Sequence, residues 1–345
     1  MDVNLFDFDL PEERIALRPA QPRDSARLLR VGDTLSDHVV TDLPNLLQPG
    51  DLLVLNQTKV LKTALKGVRA ARPVGGGGPV TVDINFMNNP TLKPRRAFVR
   101  PAKRLKVGDV ITFGEDFFAT VSEKDGGIVT LDFNTRMNRD FFAGLNKHGA
   151  PPLPPYIAKQ RPVDERDVDD YQTVYATNGV SVAAPTAGLH FTDDLFERLR
   201  QRGVKTTKLT LNVGAGTFLP VKSDSTDGHV MHSEAYCLYE ENERLISETK
   251  ASGGRVVAVG TTSLRALEAS GGKWSTGSTD IFITPGYDFK VVDGLMTNFH
   301  LPRSTLFMLV SALAGLPRMQ AAYAHAIASG YRFYSYGDSS LIWKA

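Results

Sequence analysis

Between residues 60 and 150 the chain changes its periodicity, and that change constrains the fold more than any other feature. Short runs rich in Val, Ile, Thr and Phe alternate there with glycine turns, at 64–70, 80–87, 96–99, 109–113, 117–122 and 128–133. Helical spacing is absent until about Arg139. Regular short strands with turn signals predict a small antiparallel sheet or barrel. The flanking sequence reads differently. Leu52-Leu-Val-Leu is apolar on both faces, as a buried strand of an α/β sheet is. After residue 181 strands and helices alternate: strands at 204–213, 235–239, 255–260 and 281–284, helices at 193–201, 241–251, 304–315 and 319–329. The expectation is an α/β main domain interrupted by an inserted all-β, antiparallel barrel-like domain. The main domain takes residues 1–59 and 153–345, and the insert takes 60–152.

The length of 345 residues suits about two domains and a large core. Charge follows the same division. Residues 60–150 hold 15 Lys and Arg against 8 Asp and Glu, a net of +7, whereas the whole chain is only +2. The remainder is therefore −5. A basic segment on a mildly acidic protein is what a polyanion-binding surface needs, although solvated strands also carry such residues. The densest cationic runs are Lys93-Pro-Arg-Arg and Arg100-Pro-Ala-Lys-Arg-Leu-Lys. A single cysteine, Cys237, rules out an internal disulfide and fits a reducing cytosol. The first residues lack the basic-then-apolar pattern of a signal peptide, and the longest apolar run, 306–316, is too short to span a bilayer. A cytoplasmic protein without membrane contact is expected.

Four segments end strands with small or polar residues: 56–59, 214–218, 260–263 and the stretch Ser181-Val-Ala-Ala-Pro-Thr-Ala-Gly-Leu-His-Phe-Thr192. In α/β sheets such ends face ligands. The 181–192 stretch combines alanines, which let another molecule approach the backbone, with Thr186, Gly188 and His190. Its other reading is a tight buried turn with a satisfied histidine. Thr192 has the position of an N-cap for 193–201, with Asp193 and Asp194 in the first turn and Gly203 beyond the end. Gly260-Thr-Thr-Ser places backbone N–H groups and hydroxyls at a helix start, which suits an anionic or sugar group or serves as an ordinary cap. His229, His232 and Glu234 allow three readings: a metal site if helical, acid–base work by His232 or Glu234, or a structural network. No further cysteine or histidine pair completes a metal site, so no metal is expected. His300 fits either a catalytic or a helix-entry role, and Asp338 reads as a turn-former. No G-x-S-x-G occurs, which argues against a serine hydrolase of the nucleophile-elbow type.

The strings PRDSARLL (22–29), PGDLLVLNQTKV (49–60), PPLPPYI (151–157), SVAAPTAGLHFT (181–192), VGTTSLRALE (259–268), TNFHLPRSTLFMLVSALAG (297–315) and YRFYSYGD (331–338) occur in order. Together they resemble the S-adenosylmethionine:tRNA ribosyltransferase-isomerase family of queuosine biosynthesis, over nearly the whole chain. Departures gather in the β-rich part: Thr63-Ala-Leu-Lys-Gly, Val82-Asp-Ile-Asn-Phe-Met and the glycines at 75–78. The resemblance implies an α/β domain with an inserted β domain. It also implies transfer and isomerisation of the ribosyl part of S-adenosylmethionine onto 7-aminomethyl-7-deazaguanine at the wobble position of a tRNA with a GUN-type anticodon. The product is epoxyqueuosine, and adenine and methionine leave. S-adenosylmethionine acts as cosubstrate, and the protein is expected to be a monomer.

Such chemistry needs a base beside the acidified ribose carbon and a proton for the departing purine, which suits a group with a pKa near neutrality. On the implied assignment His190, or His232 with Glu234, moves protons, and His300 is a second choice. Thr186, Gly188, Gly214, Gly216 and Thr217 shape the adenosyl pocket. Thr261 and Thr262 hold the polar end, with Asn298 alongside. Lys93, Arg95, Arg96, Arg100, Lys103, Arg104 and Lys106 contact tRNA phosphates, and Tyr156 or Tyr171 offers a stacking surface for an unpaired base. The competing readings are an RNA-binding adaptor without activity and a histidine-based metallohydrolase.

Overall fold

A computed structural model describes residues 1–73, 76–87, 89–214 and 224–345. Nine strands form the main sheet, in the order Ser275–Thr279, Glu234–Leu238, Lys205–Leu211, Leu52–Asn56, Val256–Val259, Gly294–Asn298, Ser339–Trp343, Arg27–Val31 and Leu35–Val39. Lys205–Leu211, Leu52–Asn56, Val256–Val259 and Gly294–Asn298 run parallel. The last three are buried on both faces and Lys205–Leu211 is buried in its second half, and their side chains divide accordingly. Leu52, Val54, Val256, Ala258 and Leu295 pack with helices Glu240–Ala251, Thr261–Ser270, Thr305–Ala314 and Leu316–Ala328. Leu53, Leu55, Val257, Val259 and Met296 pack on the other face with Leu43, Leu195 and Leu199 of helices Leu43–Leu46 and Asp193–Gln201. A one-residue slip in any of these strands would exchange the two faces.

The β-rich segment folds as the sequence predicts. Strands Ala64–Arg69, Val80–Phe86, Arg96–Arg100, Ile128–Phe133, Phe117–Asp125 and Val110–Gly114 pair antiparallel in that spatial order. Pairing of Val68 with Thr112 closes the ring into a six-stranded barrel. Gly67 makes this closure possible, because a Cβ there would lie 2.7 Å from both Ile111 and Phe113. Helix Asn138–His148 inserts Phe141 and Leu145 into the barrel core beside Phe86, Phe117 and the half-buried Phe133.

The sequence reading misses four strands of the main sheet, among them Leu35–Val39, which pairs with Arg27–Val31 at the other edge. Gly294–Asn298 and Ser339–Trp343 are short and lack a clear alternation, and they are strands because their neighbours supply complete ladders. Ser275–Thr279 consists only of Ser, Thr and Gly and forms the sheet's edge. Residues 281–284, expected as a strand, form none, and Ile281 and Phe282 pack against the core from a loop. Residues 151–154, which lead back from the barrel, carry no regular structure, and the chain then enters the short helix Pro155–Ala158.

Candidate active site

All four parallel strands end on one side of the sheet, and the residues at or just after their ends, Asn212, Asn56, Gly260 and Asn298, are polar or small. Asn56 ties two of these ends together: its Nδ2 donates to Leu211 O at 2.9 Å, and its Oδ1 accepts from Leu211 N at 3.0 Å and Thr58 N at 3.1 Å. The next strand leads through Gly260, at φ +86°, into helix Thr261–Ser270. The fourth strand ends at Asn298, followed by Phe299 and His300. A small cleft, with a cavity volume of about 50 Å³, lies at these ends, lined among others by Ala184, Thr186, Thr261, Thr262, Asn298 and His300. Its place agrees with the rule that open α/β sheets bind ligands beyond the carboxyl ends of their strands.

The 181–192 stretch forms one wall of the cleft because it threads four apolar clusters in ten residues. Val182 joins the barrel core, Ala183 one side of the main sheet, Ala184 and Leu189 the cluster around Tyr171 and Tyr336, and Ala187 and Phe191 the sheet's other side. Residues Thr186–His190 make a 3₁₀ turn, and Thr192 caps the next helix by accepting from Leu195 N at 3.1 Å. Thr192 in turn donates to Asp24 Oδ2 at 2.9 Å. Barrel and main domain meet beside the cleft, where a Cβ on Gly214 would lie 3.3 Å from Met87 O.

The structure separates the four candidate proton carriers. His300 lines the cleft, with its Nε2 3.3 Å from Thr297 Oγ1 and its backbone N–H donating to the Tyr323 hydroxyl at 3.0 Å. Burial lowers its pKa to about 3. His190 is buried behind the wall and does not line the cleft, and its Nε2 has no hydrogen-bond partner among the described residues. Burial lowers its pKa to about 4, opposed by the charge of Asp338. Both rings are neutral at pH 7. His232 is exposed. Glu234 is buried and engaged, since Arg265 Nη1 donates to its Oε2 at 2.5 Å and Gly214 N to its Oε1 at 3.0 Å. His229 and His232 precede strand Glu234–Leu238 in irregular chain, so they share no helix face. No group of metal ligands occurs among the described residues.

Of the expected pocket residues, Thr186, Thr261, Thr262 and Asn298 line the cleft together. Gly188 does not; it packs against Tyr175, whose hydroxyl lies 2.0 Å from the place a Cβ would take. Gly214 follows the cleft-lining Val213, whereas Gly216 and Thr217 fall outside the described residues. The sequence reading misses Tyr334 and Ser335, which also line the cleft. Tyr334 has φ +74°, a conformation unusual for an aromatic residue. Asn298 Nδ2 donates to the carbonyls of Tyr334, Ser335 and Gly337 and so holds this loop. Asp338 is the turn-former expected, pairing with Arg332 at 2.9 Å.

On the barrel, Lys93, Arg96, Arg100, Lys103, Arg104 and Lys106 are exposed and form no ion pair among the described residues. Arg95 corrects the sequence reading. It is buried, its guanidinium lies 4.1 Å from the Phe141 ring centroid, and it donates to Pro90 O at 2.7 Å and Asn138 Oδ1 at 3.1 Å. Strand alternation turns it inward, so it secures the plug helix and cannot reach a phosphate. Arg72 anchors the 101–109 loop by donating to Asp109 Oδ2 at 2.6 Å and Arg104 O at 2.9 Å. Of the two aromatic candidates, Tyr171 is buried, whereas Tyr156 is half-buried with its ring 4.3 Å from that of Tyr334.

Residues 3–342 match a family model described as queuosine biosynthesis protein. The chain is 59% identical over 350 residues to the S-adenosylmethionine:tRNA ribosyltransferase-isomerase of Maricaulis maris, covering 99% of each. It is 54% identical over 365 residues to the enzyme of the same description from Caulobacter vibrioides, covering 100% of this chain and 99% of that one. Among solved structures, it is similar to the S-adenosylmethionine tRNA ribosyltransferase of Thermotoga maritima. The identity there is 32% and the TM-score 0.55, over 98% of this chain and 99% of that one.

Proposed function

The chain belongs to the S-adenosylmethionine:tRNA ribosyltransferase-isomerase family of queuosine biosynthesis, and from that premise we infer its activity and the residues that carry it. It is a tRNA-modifying transferase. It moves the ribosyl moiety of S-adenosylmethionine onto 7-aminomethyl-7-deazaguanine in tRNA and isomerises it, giving epoxyqueuosine and releasing adenine and methionine. The observation that carries the site is the cleft at the ends of the four parallel strands. It combines a small-residue wall, a helix start with free N–H groups, and a buried amide. A sulfonium nucleoside with an amino-acid tail fits such a mixture of apolar wall and few polar groups.

On our reading S-adenosylmethionine lies along Ala183–Ala187, with its polar end towards Thr261 and Thr262. His300 is the histidine that meets it. As a neutral imidazole fixed beside Thr297, it accepts a hydrogen bond from the cosubstrate. His190 keeps the turn in place from behind. Glu234, held by Arg265, positions Gly214 at the mouth of the cleft. No metal is assigned a role. The barrel, taken as an inserted domain of residues 60–152, presents Arg96, Arg100, Lys103, Arg104 and Lys106 to the tRNA backbone. The wobble base of a GUN-type anticodon enters the cleft past Tyr156 and Tyr334. The reading further takes the protein as a cytoplasmic monomer.

Incubation with S-adenosylmethionine and tRNA carrying the deazaguanine precursor tests this directly. Free adenine and the corresponding tRNA mass gain are expected. With His300→Asn, turnover should fall while the tRNA still binds. Full turnover by that variant would remove His300 from the site.

A further inference from the structure

Two groups of opposite polarity that lack partners among the described residues lie in the cleft, at the ends of adjacent strands. The first is the start of helix Thr261–Ser270. Gly260 supplies no side-chain cap, and the backbone N–H groups of Thr261, Thr262 and Ser263 have no acceptor among the described residues. The second is Asn298. Its side chain is 3% exposed, and its Nδ2 is committed to the carbonyls of Tyr334, Ser335 and Gly337. Its Oδ1 is buried and has no hydrogen-bond donor among the described residues. Both groups line the same cleft. A buried acceptor left unpaired is costly, and the few that persist in proteins call for an explanation.

The register sets their separation. Val259 pairs with Met296, and Gly260 N donates to Met296 O at 2.8 Å. The helix start and Asn298 therefore stand at the ends of adjacent strands, which lie about 4.8 Å apart. We propose that this pair reads the amino-acid end of S-adenosylmethionine as a zwitterion. The helix start binds the α-carboxylate through the N–H groups of Thr261 to Ser263, and Asn298 Oδ1 accepts from the α-ammonium. The proposal rests on the family reading of the cosubstrate and assigns its tail to named atoms.

Charge and reach decide between the alternatives. A helix start favours an anion, and the only anionic group of this ligand is its carboxylate. The ligand's groups that could donate to Asn298 are the α-ammonium, the two ribose hydroxyls and the adenine amino group, and the hydroxyls are separated from the carboxylate by the sulfonium and its carbon chain. The ammonium shares a carbon with the carboxylate, so two hydrogen bonds of about 2.9 Å span the gap between the strand ends. The adenine amino group lies at the far end of the molecule and cannot reach Asn298 while the carboxylate is on the helix. The neighbouring His300 is compatible with a cation, because its ring is neutral at pH 7. Thr262 Oγ1 already accepts from Asn56 Nδ2 at 3.4 Å, which leaves its hydroxyl hydrogen free to donate to a carboxylate. The site thus selects for an intact amino-acid tail and against the thioether nucleoside that lacks it.

The test is calorimetric titration of the full-length protein, with tRNA present that lacks the deazaguanine precursor and so cannot be turned over. The ligands are S-adenosylmethionine, its decarboxylated analogue and its desamino analogue. A hydrogen bond to a charged group is worth about tenfold to a hundredfold in affinity. Wild type should therefore bind each analogue at least tenfold more weakly than S-adenosylmethionine. Asn298→Ala should lose about tenfold for S-adenosylmethionine and nothing more for the desamino analogue. Equal losses on both ligands would mean that Asn298 acts only by holding the 334–337 loop, and would overturn the proposal. Wild type binding the decarboxylated analogue as tightly as S-adenosylmethionine would overturn it without any variant. Failure of S-adenosylmethionine itself to bind wild type would instead sink the family reading of the cleft.

Discussion

The hydroxyl of Tyr175 occupies the space that any side chain on Gly188 would need. An added Cβ would lie 2.0 Å from the Tyr175 oxygen and 3.0 Å from Thr173 Cγ2. Tyr175 is buried, and its hydroxyl has no hydrogen-bond partner among the described residues. The glycine is thus a packing requirement of the 3₁₀ turn.

Gly188→Ala should destabilise the protein by about 1–3 kcal/mol, as overpacking of a close-packed interior does. Tyr175→Phe alone should be near neutral, since it removes an oxygen that is already unpaired. The double variant should recover much of the stability, because the oxygen that clashes is gone. Chemical denaturation of the three proteins gives the coupling energy. Strict additivity would show that the turn needs glycine for another reason.

Glu234 and Arg265 form a buried ion pair, each less than a tenth exposed. Glu234→Gln leaves the guanidinium charge without its counter-charge and should cost about 3–5 kcal/mol. Replacing both residues, Glu234→Leu with Arg265→Met, should cost less, because no buried charge remains. A thermal or denaturant midpoint for each variant checks the order.

The exposed basic residues and Arg95 should separate cleanly. Exchanging Arg96, Arg100 and Lys103 for Glu should weaken tRNA binding and reduce the salt slope by about 0.7–0.9 for each phosphate that is no longer neutralised. Binding measured from low to moderate salt reads that slope. An unchanged slope would move the tRNA surface elsewhere. Arg95→Ala should instead lower the stability of the barrel, because it removes the stacking on Phe141 and the bond to Asn138.

Stability should fall with acid in a defined window. His190 and His300 titrate at about 4 and about 3 in the folded protein, against about 6.5 when unfolded. Above pH 6.5 both states hold neutral rings, and these two residues add no pH dependence. As the pH drops below 6.5 the unfolded chain takes up protons that the folded one refuses. Each ring then removes about 1.4 kcal/mol per pH unit until its folded pKa is reached. Denaturation free energies from pH 7 to pH 4 should show this slope. His300→Asn should lose the share of one ring.

The two architectures and their basic and acidic balance are legible in the sequence, since they rest on local signals. Alternation in the strands of residues 64–133 needs no partner to be read, and neither does the Thr192 cap before Asp193. The barrel follows once Gly67 lets Ile111 and Phe113 close over it. The importance of the 181–192 stretch is also legible in its composition, because small residues between Pro185 and Thr192 leave room at the backbone.

Only the tertiary structure decides which polar groups meet. His190 and Thr186 sit in one short motif, yet the 3₁₀ turn sends one behind the wall and leaves the other in the cleft. Arg95 and Arg96 are neighbours in a cationic run, yet the alternation of the chain buries one and exposes the other. Strands Gly294–Asn298 and Ser339–Trp343 carry little intrinsic signal and exist because the sheet completes their hydrogen bonds. The placement of Asn298 beside the Thr261 helix start follows from that sheet register. Local sequence specifies alternation and turns, whereas the pairing of distant strands fixes which side chains share a cleft.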